Sequence, residues 1–210
     1  MKQIFSLLFC LLAINLTQGQ QKGVTEKGEE VLLYDDGTWK YKNEDKLVEK
    51  EIPTNPKVFK RHEESTFLLK SSKVNIGVYL NPKTWSFKKA VTNPEAEYEF
   101  QLKEGDLYGM MITEKVEIPL ETLKSIALET GRTVAPDLKI VKEEYRNVNG
   151  LKLLLLQLNG TTQGIKFSYY GYYFSNAGGT VQFITYTSQN LLNSYKPESE
   201  KLLNGFVEID

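Results

Sequence analysis

Side chains suited to nucleophilic or metal chemistry are scarce in this sequence. His62 is the only histidine and Cys10 the only cysteine. A structural zinc site needs several Cys, His or acidic ligands. A Ser-His-Asp enzyme would have to use His62, which lies in a charged segment with no nucleophile-elbow glycine pattern near any serine. The sequence therefore predicts no catalytic residue, metal site or cofactor, and His62 is interpreted as a solvated residue.

Adjacent carboxylates remain as possible acid/base groups, among them Asp35-Asp36, Glu63-Glu64 and Glu143-Glu144. Neighbouring residues in a strand point to opposite faces, so adjacency is poor evidence for a catalytic pair. Turn chemistry explains Asp35-Asp36 better. Two carboxylates from distant parts of a chain are enough for glycoside hydrolysis. An envelope hydrolase using dispersed carboxylates therefore stays as the alternative function.

The most unusual local feature is the aromatic run Tyr169 to Phe174, which Gly171 interrupts. It predicts either an aromatic platform for a ligand or partner, where glycine allows close backbone approach, or core packing under helices. One face of the strand could be core and the other a site. The two tryptophans are further candidates. Trp39 lies in the predicted hairpin and could dock it, and Trp85 could cover an end of the sheet. The candidate binding residues are Tyr169, Tyr170, Tyr172, Tyr173, Trp85 and Trp39.

The N-terminus has the layout of a secretory signal peptide over residues 1–19. An apolar stretch from Ile4 to Leu16 is followed by small and polar residues up to Gly19. The stretch is shorter than the roughly 20 residues that span a bilayer. Bulky Phe9 argues against a lipid anchor at Cys10. We therefore expect cleavage near Gly19 and an exported protein, periplasmic or extracellular, with no transmembrane segment in the mature chain.

The charge of the chain excludes one broad class of partner. With 26 basic and 27 acidic residues, the formal net charge is −1. Such a balance provides no general attraction to nucleic acid or to an anionic membrane. We therefore expect a protein partner in the envelope or a small ligand, and no nucleic acid.

Residues 20–43 are predicted to contain a β-hairpin. Two β-prone runs, Val31–Tyr34 and Thr38–Tyr41, are joined by Asp35-Asp36-Gly37, a strong turn signal. An isolated hairpin is marginal in water. This hairpin should therefore dock on the main domain, on a partner or on a second copy of the chain.

Residues 44–73 are predicted to be a charged connector. The segment is rich in charge, contains Pro53 and Pro56, and has weak periodicity. We expect it to be partly extended, with one short helix near Phe59 to Leu69.

Residues 74–210 are predicted to form one α+β domain. Helices are expected from Pro119 to a stop at Gly131, and from Pro197 onwards with Leu202, Phe206 and Ile209 on one side. Alternation and turn residues predict strands at 74–80, 97–103, 107–118, 138–148, 151–158, 165–175 and 180–188, with a polar loop at 159–164. The result is a mostly antiparallel sheet of about five to seven strands flanked by helices.

Two of these strands are apolar on both faces. One contains Leu153 to Leu156, and the other contains the aromatic run from Phe167 to Phe174. Such strands are usually central and covered on both sides. We therefore place both in the middle of the sheet, between helices.

Residues 74–210 resemble the PsbP-like superfamily, an antiparallel α/β/α sandwich. The resemblance rests on a strand broken at Asn81-Pro82 with Trp85 following, the Pro119 helix after a hairpin, four consecutive strands, and the ending Glu200 to Phe206. That superfamily includes extrinsic photosystem II subunits, a Ran-GTPase-binding import factor and many exported bacterial proteins. The resemblance implies function through binding or assembly. The Asp-Asp-Gly-Thr-Trp segment is similar to a short hairpin near the start of various secreted bacterial proteins.

These observations favour a non-catalytic binding or assembly module of the bacterial periplasm or cell envelope. It would hold a protein partner or a small apolar ligand on its sheet face. A structural role, in which the N-terminal hairpin mediates self-association, is a third hypothesis besides the hydrolase.

Overall fold

The computed structural model describes residues 21–25, 30–41, 51–91 and 93–209. The predicted signal peptide and its cleavage point near Gly19 lie outside these residues. The chain divides into two compact units, Met1–Glu51 and Ile52–Asp210. Within the described ranges, no helix combines the length and the apolar character that crossing a bilayer requires.

The described part of the first unit is a small antiparallel sheet. Its strands are β1 (Gln21–Val24), β2 (Glu30–Leu33) and β3 (Trp39–Tyr41), in that spatial order. The predicted hairpin is present as β2 and β3. Gly37 has a φ of 81°, and Asp36 accepts hydrogen bonds from the backbone N–H and the hydroxyl of Thr38. Strand β1 was not predicted from the sequence.

The second unit contains eleven strands and two helices among its described residues. They are β4 (Thr54–Phe59), β5 (Phe67–Lys70), β6 (Ile76–Leu80), β7 (Trp85–Lys89), β8 (Ala96–Leu102), β9 (Tyr108–Glu114), α1 (Leu120–Val134), β10 (Lys139–Val148), β11 (Leu151–Thr162), β12 (Ile165–Asn176), β13 (Gly179–Ser188), α2 (Leu192–Leu203) and β14 (Phe206–Glu208). Eight of the strands form one sheet in the order β4-β10-β11-β12-β13-β9-β8-β7. The other three form a small sheet in the order β14-β6-β5.

The large sheet exceeds the predicted five to seven strands and is mixed. Strand β4 pairs in parallel with β10, whereas the other pairs in this sheet are antiparallel. Both β4 and β5 lie in the segment predicted to be a connector, and the helix expected between Phe59 and Leu69 is absent. Proline cannot donate to a ladder but is tolerated on an edge strand, which is where Pro56 lies.

The two strands predicted to be central, β11 and β12, occupy the middle of the large sheet. On one face, Leu153, Leu155 and Tyr170 pack with α2 and the small sheet. On the other face, Leu154 and Tyr173 pack with α1. Helices therefore cover both faces of an α+β unit, as the doubly apolar pattern indicated.

Both helix boundaries differ from the prediction. Helix α1 continues past Gly131 to Val134. Helix α2 begins five residues before Pro197, which lies inside it. Pro197 has no backbone N–H to donate to the carbonyl of Asn193. Asn193 is exposed, so water can solvate that carbonyl instead. Phe206 does not continue the helix and instead begins β14.

Two tight turns shape the central meander. Asn149-Gly150 has φ angles of 51° and 91°, and Gln163-Gly164 has 49° and 78°. Positive φ at both turn residues matches the twist of a two-residue hairpin. Strand β11 therefore runs on to Thr162, and the predicted polar loop at 159–164 is reduced to a turn.

Candidate functional site

Helix α1 covers only part of its face of the sheet. Leu123 is 1% exposed and packs in the same cluster as Leu154 and Leu156 of β11. Beyond this contact, a cavity of about 490 Å³ lies between α1 and strands β9, β12 and β13. We call this cavity the α1 groove.

Apolar side chains dominate the α1 groove. The helix contributes one wall, and alternate residues of the strands contribute the floor. The apolar lining residues are Met110, Ile112, Ile118, Leu123, Ile126, Ala127, Val134, Leu158, Tyr169, Tyr173 and Ile184.

The groove opens to solvent along the helix. Ile126 and Val134, which line it, are 39% and 64% exposed. Polar groups lie among the lining residues at Asn93, Thr130 and Gln182. The described lining includes two carboxylates, those of Glu95 and Glu114, and no lysine, arginine or histidine.

Contacts at both ends hold α1 in place over the groove. At the N-terminal end, the backbone N–H of Ile118 donates to the hydroxyls of Ser175 and Thr180, at 2.9 and 3.2 Å. At the other end, a Cβ at Gly131 would collide with the side chain of Leu138. Glycine there allows α1 to approach Leu138 closely. The segment before α1 is therefore hydrogen-bonded to β12 and β13, and the last turns of α1 pack closely on Leu138.

A row of aromatic rings extends the groove across the sheet. The ring centroids of Tyr169 and Tyr186 lie 5.9 Å apart, and those of Tyr186 and Tyr108 lie 5.6 Å apart and are stacked. Phe167 lies 4.9 Å from Tyr169 at the other end of the row. Burial raises the pKa of Tyr169 and Tyr186, so both rings stay neutral at ordinary pH. We call these four residues the aromatic row.

The six candidate residues are divided among three places. Tyr169 and Tyr173 line the α1 groove. Tyr170 and Tyr172 are fully buried on the opposite face, and Trp85 is 3% exposed in the core beneath α2. Trp39, in β3 of the first unit, is 51% exposed. The structure thus brings two of the six to one cavity, on a single face of β12.

The opposite face carries a buried polar cluster centred on Arg146, which is 3% exposed. Its Nε donates to Glu144 at 2.6 Å, and its Nη1 donates to Tyr172 at 3.2 Å and to Glu200 at 3.1 Å. The hydroxyl of Tyr170 donates to the same Glu200 oxygen at 2.6 Å. Burial opposes the Arg146 charge, yet the tyrosine and carboxylate oxygens raise its pKa overall. These side chains bond to one another and join α2 to the sheet.

Glu143 and Glu144 point to opposite faces of β10, as expected for neighbouring residues of a strand. Glu143 pairs with Lys124 of α1 at 3.2 Å, whereas Glu144 pairs with Arg146 on the other face. Burial would raise the pKa of Glu144 and Glu200, but bonds to Arg146, Asn55 and Tyr170 outweigh it and lower both values. Both groups are held ionised by internal partners.

The single histidine lies in a turn. Nδ1 of His62 is 3.8 Å from Glu64, and its side chain is 38% exposed. In the part of the chain that is described, no group of three or more Cys, His, Asp or Glu could hold a metal ion.

Most residues of the α1 groove were not predicted from the sequence. Alternation in β9 places Met110 and Ile112 on one face, and both are half-buried. Exposed apolar Ile126 and Val134 lie eight residues apart on α1. These two signals mark apolar surface without a complete cover, but the sequence does not show that they face each other.

No protein-family model matches the chain, and no curated protein is similar to it. Among solved structures, it is similar to PsbP (CyanoP) from the cyanobacterium Synechocystis sp. PCC 6803. The TM-score is 0.51 and the identity 15%, over 70% of this chain and 94% of that one.

Two weaker likenesses have TM-scores below 0.5. One is PA94 of Pseudomonas aeruginosa, a protein of unknown function and putative regulator, with a TM-score of 0.44 and 12% identity over 69% of this chain and 97% of that one. The other is LpqN of Mycobacterium tuberculosis, involved in cell envelope biogenesis. Its TM-score is 0.41 and its identity 7%, over 69% of this chain and 90% of that one. At these identities the comparisons concern the fold alone, and the fold of this chain is PsbP-like.

Proposed function

We propose that this chain is an exported, non-catalytic module of the bacterial periplasm or cell envelope that binds a small apolar ligand in the α1 groove. The observation that carries the proposal is the apolar cavity of about 490 Å³ beside α1. Apolar side chains line this solvent-accessible groove and leave apolar surface without a cover, which is the arrangement that a small apolar ligand would complete.

The size of the cavity favours a small molecule over a protein partner. Ligand pockets usually enclose about 300–1,000 Å³, are mostly apolar and carry a few polar groups that orient the ligand. The α1 groove has this composition, with Asn93 and Gln182 among its polar groups. Its walls are a helix and a sheet, which enclose a small molecule on several sides.

The carboxylates support a non-catalytic role. A general acid at neutral pH needs a raised pKa. Among the described residues, each carboxyl group with a shifted pKa is shifted downwards, including buried Glu97 and Glu144. These groups engage in internal hydrogen bonds and are suited to holding the fold together.

The export and division of the chain are part of the same proposal. We infer that residues 1–19 are removed near Gly19, that residues 20–43 form a separate β-rich segment, and that residues 44–73 lead into the domain at 74–210, with β4 and β5 joining its sheets. The intact mass of protein recovered from the cell envelope fraction tests the cleavage. A full-length mass in the cytoplasm would contradict export.

Ligand binding can be tested with the neutral apolar fluorophore N-phenyl-1-naphthylamine. We expect saturable binding by the full mature protein. Thr130 is exposed on α1 and lines the groove, so Thr130→Trp should fill the groove and weaken binding about tenfold or more. Thr122 is exposed on the same helix outside the groove, so Thr122→Trp should bind as the unmodified protein does.

A second pair of variants changes a half-buried position. Ala127→Phe should remove binding because Ala127 lines the groove, whereas Ala177→Phe adds the same ring at an exposed turn and should leave binding intact. Absence of saturable binding, or equal binding by all four variants, would overturn the proposed function. Circular dichroism of each variant separates a filled groove from an unfolded protein.

A further inference from the structure

We infer that the ligand of the α1 groove carries a neutral carbonyl group, as in an ester, an amide or a ketone, which accepts hydrogen bonds from Tyr173 and Gln182. This inference rests on the proposed function and adds the chemistry of the ligand's polar group. It is carried by these two polar side chains in the floor of the groove, because neither has a hydrogen-bond partner among the described residues.

The hydroxyl of Tyr173 is a polar group inside the apolar groove. Tyr173 lines the groove and is only 1% exposed. Its hydroxyl forms no hydrogen bond with any described residue. In the same part of the chain, no buried side-chain oxygen or nitrogen lacks a partner. The hydroxyl must therefore retain access to solvent, and the groove beside it provides that access.

The neighbouring tyrosines on the other face of β12 differ in this respect. The hydroxyl of Tyr170 donates to Glu200 at 2.6 Å, and that of Tyr172 donates to Asn204 at 2.8 Å. Those two hydroxyls help to join α2 to the sheet. The Tyr173 hydroxyl makes no such contact and is available to a group from outside the chain.

Gln182 places a second polar group beside Tyr173. The two residues are directly opposed in the antiparallel ladder of β12 and β13, and both line the groove. Side chains of directly opposed residues are neighbours on one face, with Cβ atoms about 5 Å apart. Gln182 is half-buried, and its amide also has no hydrogen-bond partner among the described residues.

This pair favours a carbonyl compound over a pure hydrocarbon. A hydrocarbon that filled the groove would displace water from both side chains and leave them without partners, which is unfavourable. A carbonyl oxygen has two lone pairs, so it can accept from a tyrosine O–H and a glutamine N–H together. Burial raises the pKa of Tyr173, so its hydroxyl keeps its proton at neutral pH and can donate.

The experiment compares two probes of nearly the same shape, 2-acetylnaphthalene and 2-isopropenylnaphthalene, in which a C=CH2 group replaces the C=O group. Displacement of N-phenyl-1-naphthylamine from the full mature protein at neutral pH measures the affinity of each probe. Tyr173→Phe removes only the hydroxyl. We expect it to weaken binding of the ketone about fivefold without weakening binding of the hydrocarbon. Gln182→Met should change the two affinities in the same way.

Tyr79→Phe is the matched control. Tyr79 lies in β6, outside the groove, so its loss of a hydroxyl should leave both affinities unchanged. Urea denaturation provides a second readout. Tyr173→Phe should keep the midpoint of the unmodified protein, whereas Tyr172→Phe loses bonds with Asn204 and Arg146 and should lower it. An equal fall in both variants would show that the Tyr173 hydroxyl has an internal partner and would overturn the inference.

The probes also separate this inference from the proposed function. If the fluorophore binds but neither probe displaces it, or if Tyr173→Phe weakens ketone and hydrocarbon equally, the carbonyl group is wrong and the apolar site stands. Absence of saturable fluorophore binding would overturn the proposed function and this inference with it.

Discussion

Arg146 of β10 and Glu200 of α2 form an ion pair of 3.1 Å across the buried interface between the sheet and the helix. The same guanidinium binds Glu144 at 2.6 Å and lies 4.3 Å above the centroid of the Phe59 ring. One side chain therefore joins β4, β10 and α2. This concentration of contacts makes the Arg146 cluster the first place to test what holds the second unit together.

We expect Arg146→Met to lower the free energy of unfolding by about 3 kcal/mol, because it removes the buried guanidinium that pairs with Glu144 and with half-buried Glu200. Urea denaturation at pH 7 measures the change. Lys88→Met is the matched control, since Lys88 pairs with Glu99 on the surface and is 68% exposed. Its loss should cost no more than about 1 kcal/mol. Equal losses in the two variants would contradict the role given to the Arg146 cluster.

Glu97 should make the stability depend on acid pH. Burial raises its pKa, but hydrogen bonds from Ser71, Ser72 and Thr113 outweigh burial and lower it below the ordinary value of 4.5. The unfolded chain therefore takes up the proton first as the pH falls. Glu97 contributes stability above pH 4.5, and that stability is lost as the pH falls through the folded-state pKa.

The variant Glu97→Gln should accordingly show a smaller loss of stability between pH 7 and pH 3.5 than the unmodified protein. Urea midpoints across this range provide the measurement. Glu104→Gln, at an exposed turn, is the control and should retain the original acid dependence. A Glu97→Gln profile parallel to that of the unmodified protein would show that this carboxyl is not responsible.

Gly171 should not tolerate a side chain. A Cβ there would lie 2.5 Å from the carbonyl oxygen of Phe183 and 2.7 Å from the Cα of Ile184, both backbone atoms of β13. Backbone in the centre of a sheet cannot move aside cheaply, so we expect Gly171→Ala to cost about 1–3 kcal/mol. Gly178→Ala is the control, because Gly178 is exposed and its Cβ would meet only the side chain of Asn176, at 3.1 Å. Thermal and urea denaturation of both variants test this difference.

Asn149 should matter for its side chain as well as for its turn. Its Nδ2 donates to the carbonyls of Asn204 and Phe206, each at 2.8 Å, and its Oδ1 accepts from the N–H of Arg61 at 2.9 Å. Asn149→Gly keeps the positive φ and removes these bonds, so we expect a loss of about 1–3 kcal/mol. Gln163→Gly makes the same kind of change at an exposed turn residue with φ 49° and should be close to neutral.

Local patterns were enough to predict the meander. The turns at Asn149-Gly150 and Gly37, and the doubly apolar strands, follow from residue type and short spacing, and the structure has them. Strand β4 was not predicted because its sequence contains Pro56 and many charges. An edge strand buries few side chains and tolerates proline, so these residues do not prevent it from forming. The start of α2 was predicted too late because proline is common at the first position of a helix. In the structure the helix begins earlier, at Leu192, which is buried.

The groove was less predictable because it is a gap between distant segments. Tyr169 and Tyr173 were candidates from their own strand, but Ile112, Ile126 and Gln182 join them only through the way α1 lies across the sheet. The length and polarity of α1 are local properties. Its offset from β9 and β13 depends on close approach at Gly131 and on hydroxyls at Ser175 and Thr180, which no short window of sequence contains.

The two sides of the large sheet differ in how much change they can accept. Beneath α2, polar and apolar side chains interlock, so a substitution there disturbs the whole unit. Along α1, several groove residues already face solvent and contribute less to folding. Substitutions at positions such as Ile126, Thr130 and Val134 can therefore reshape the α1 groove, while the interlocked side preserves the architecture. Chains that share this scaffold would be expected to differ first along the groove.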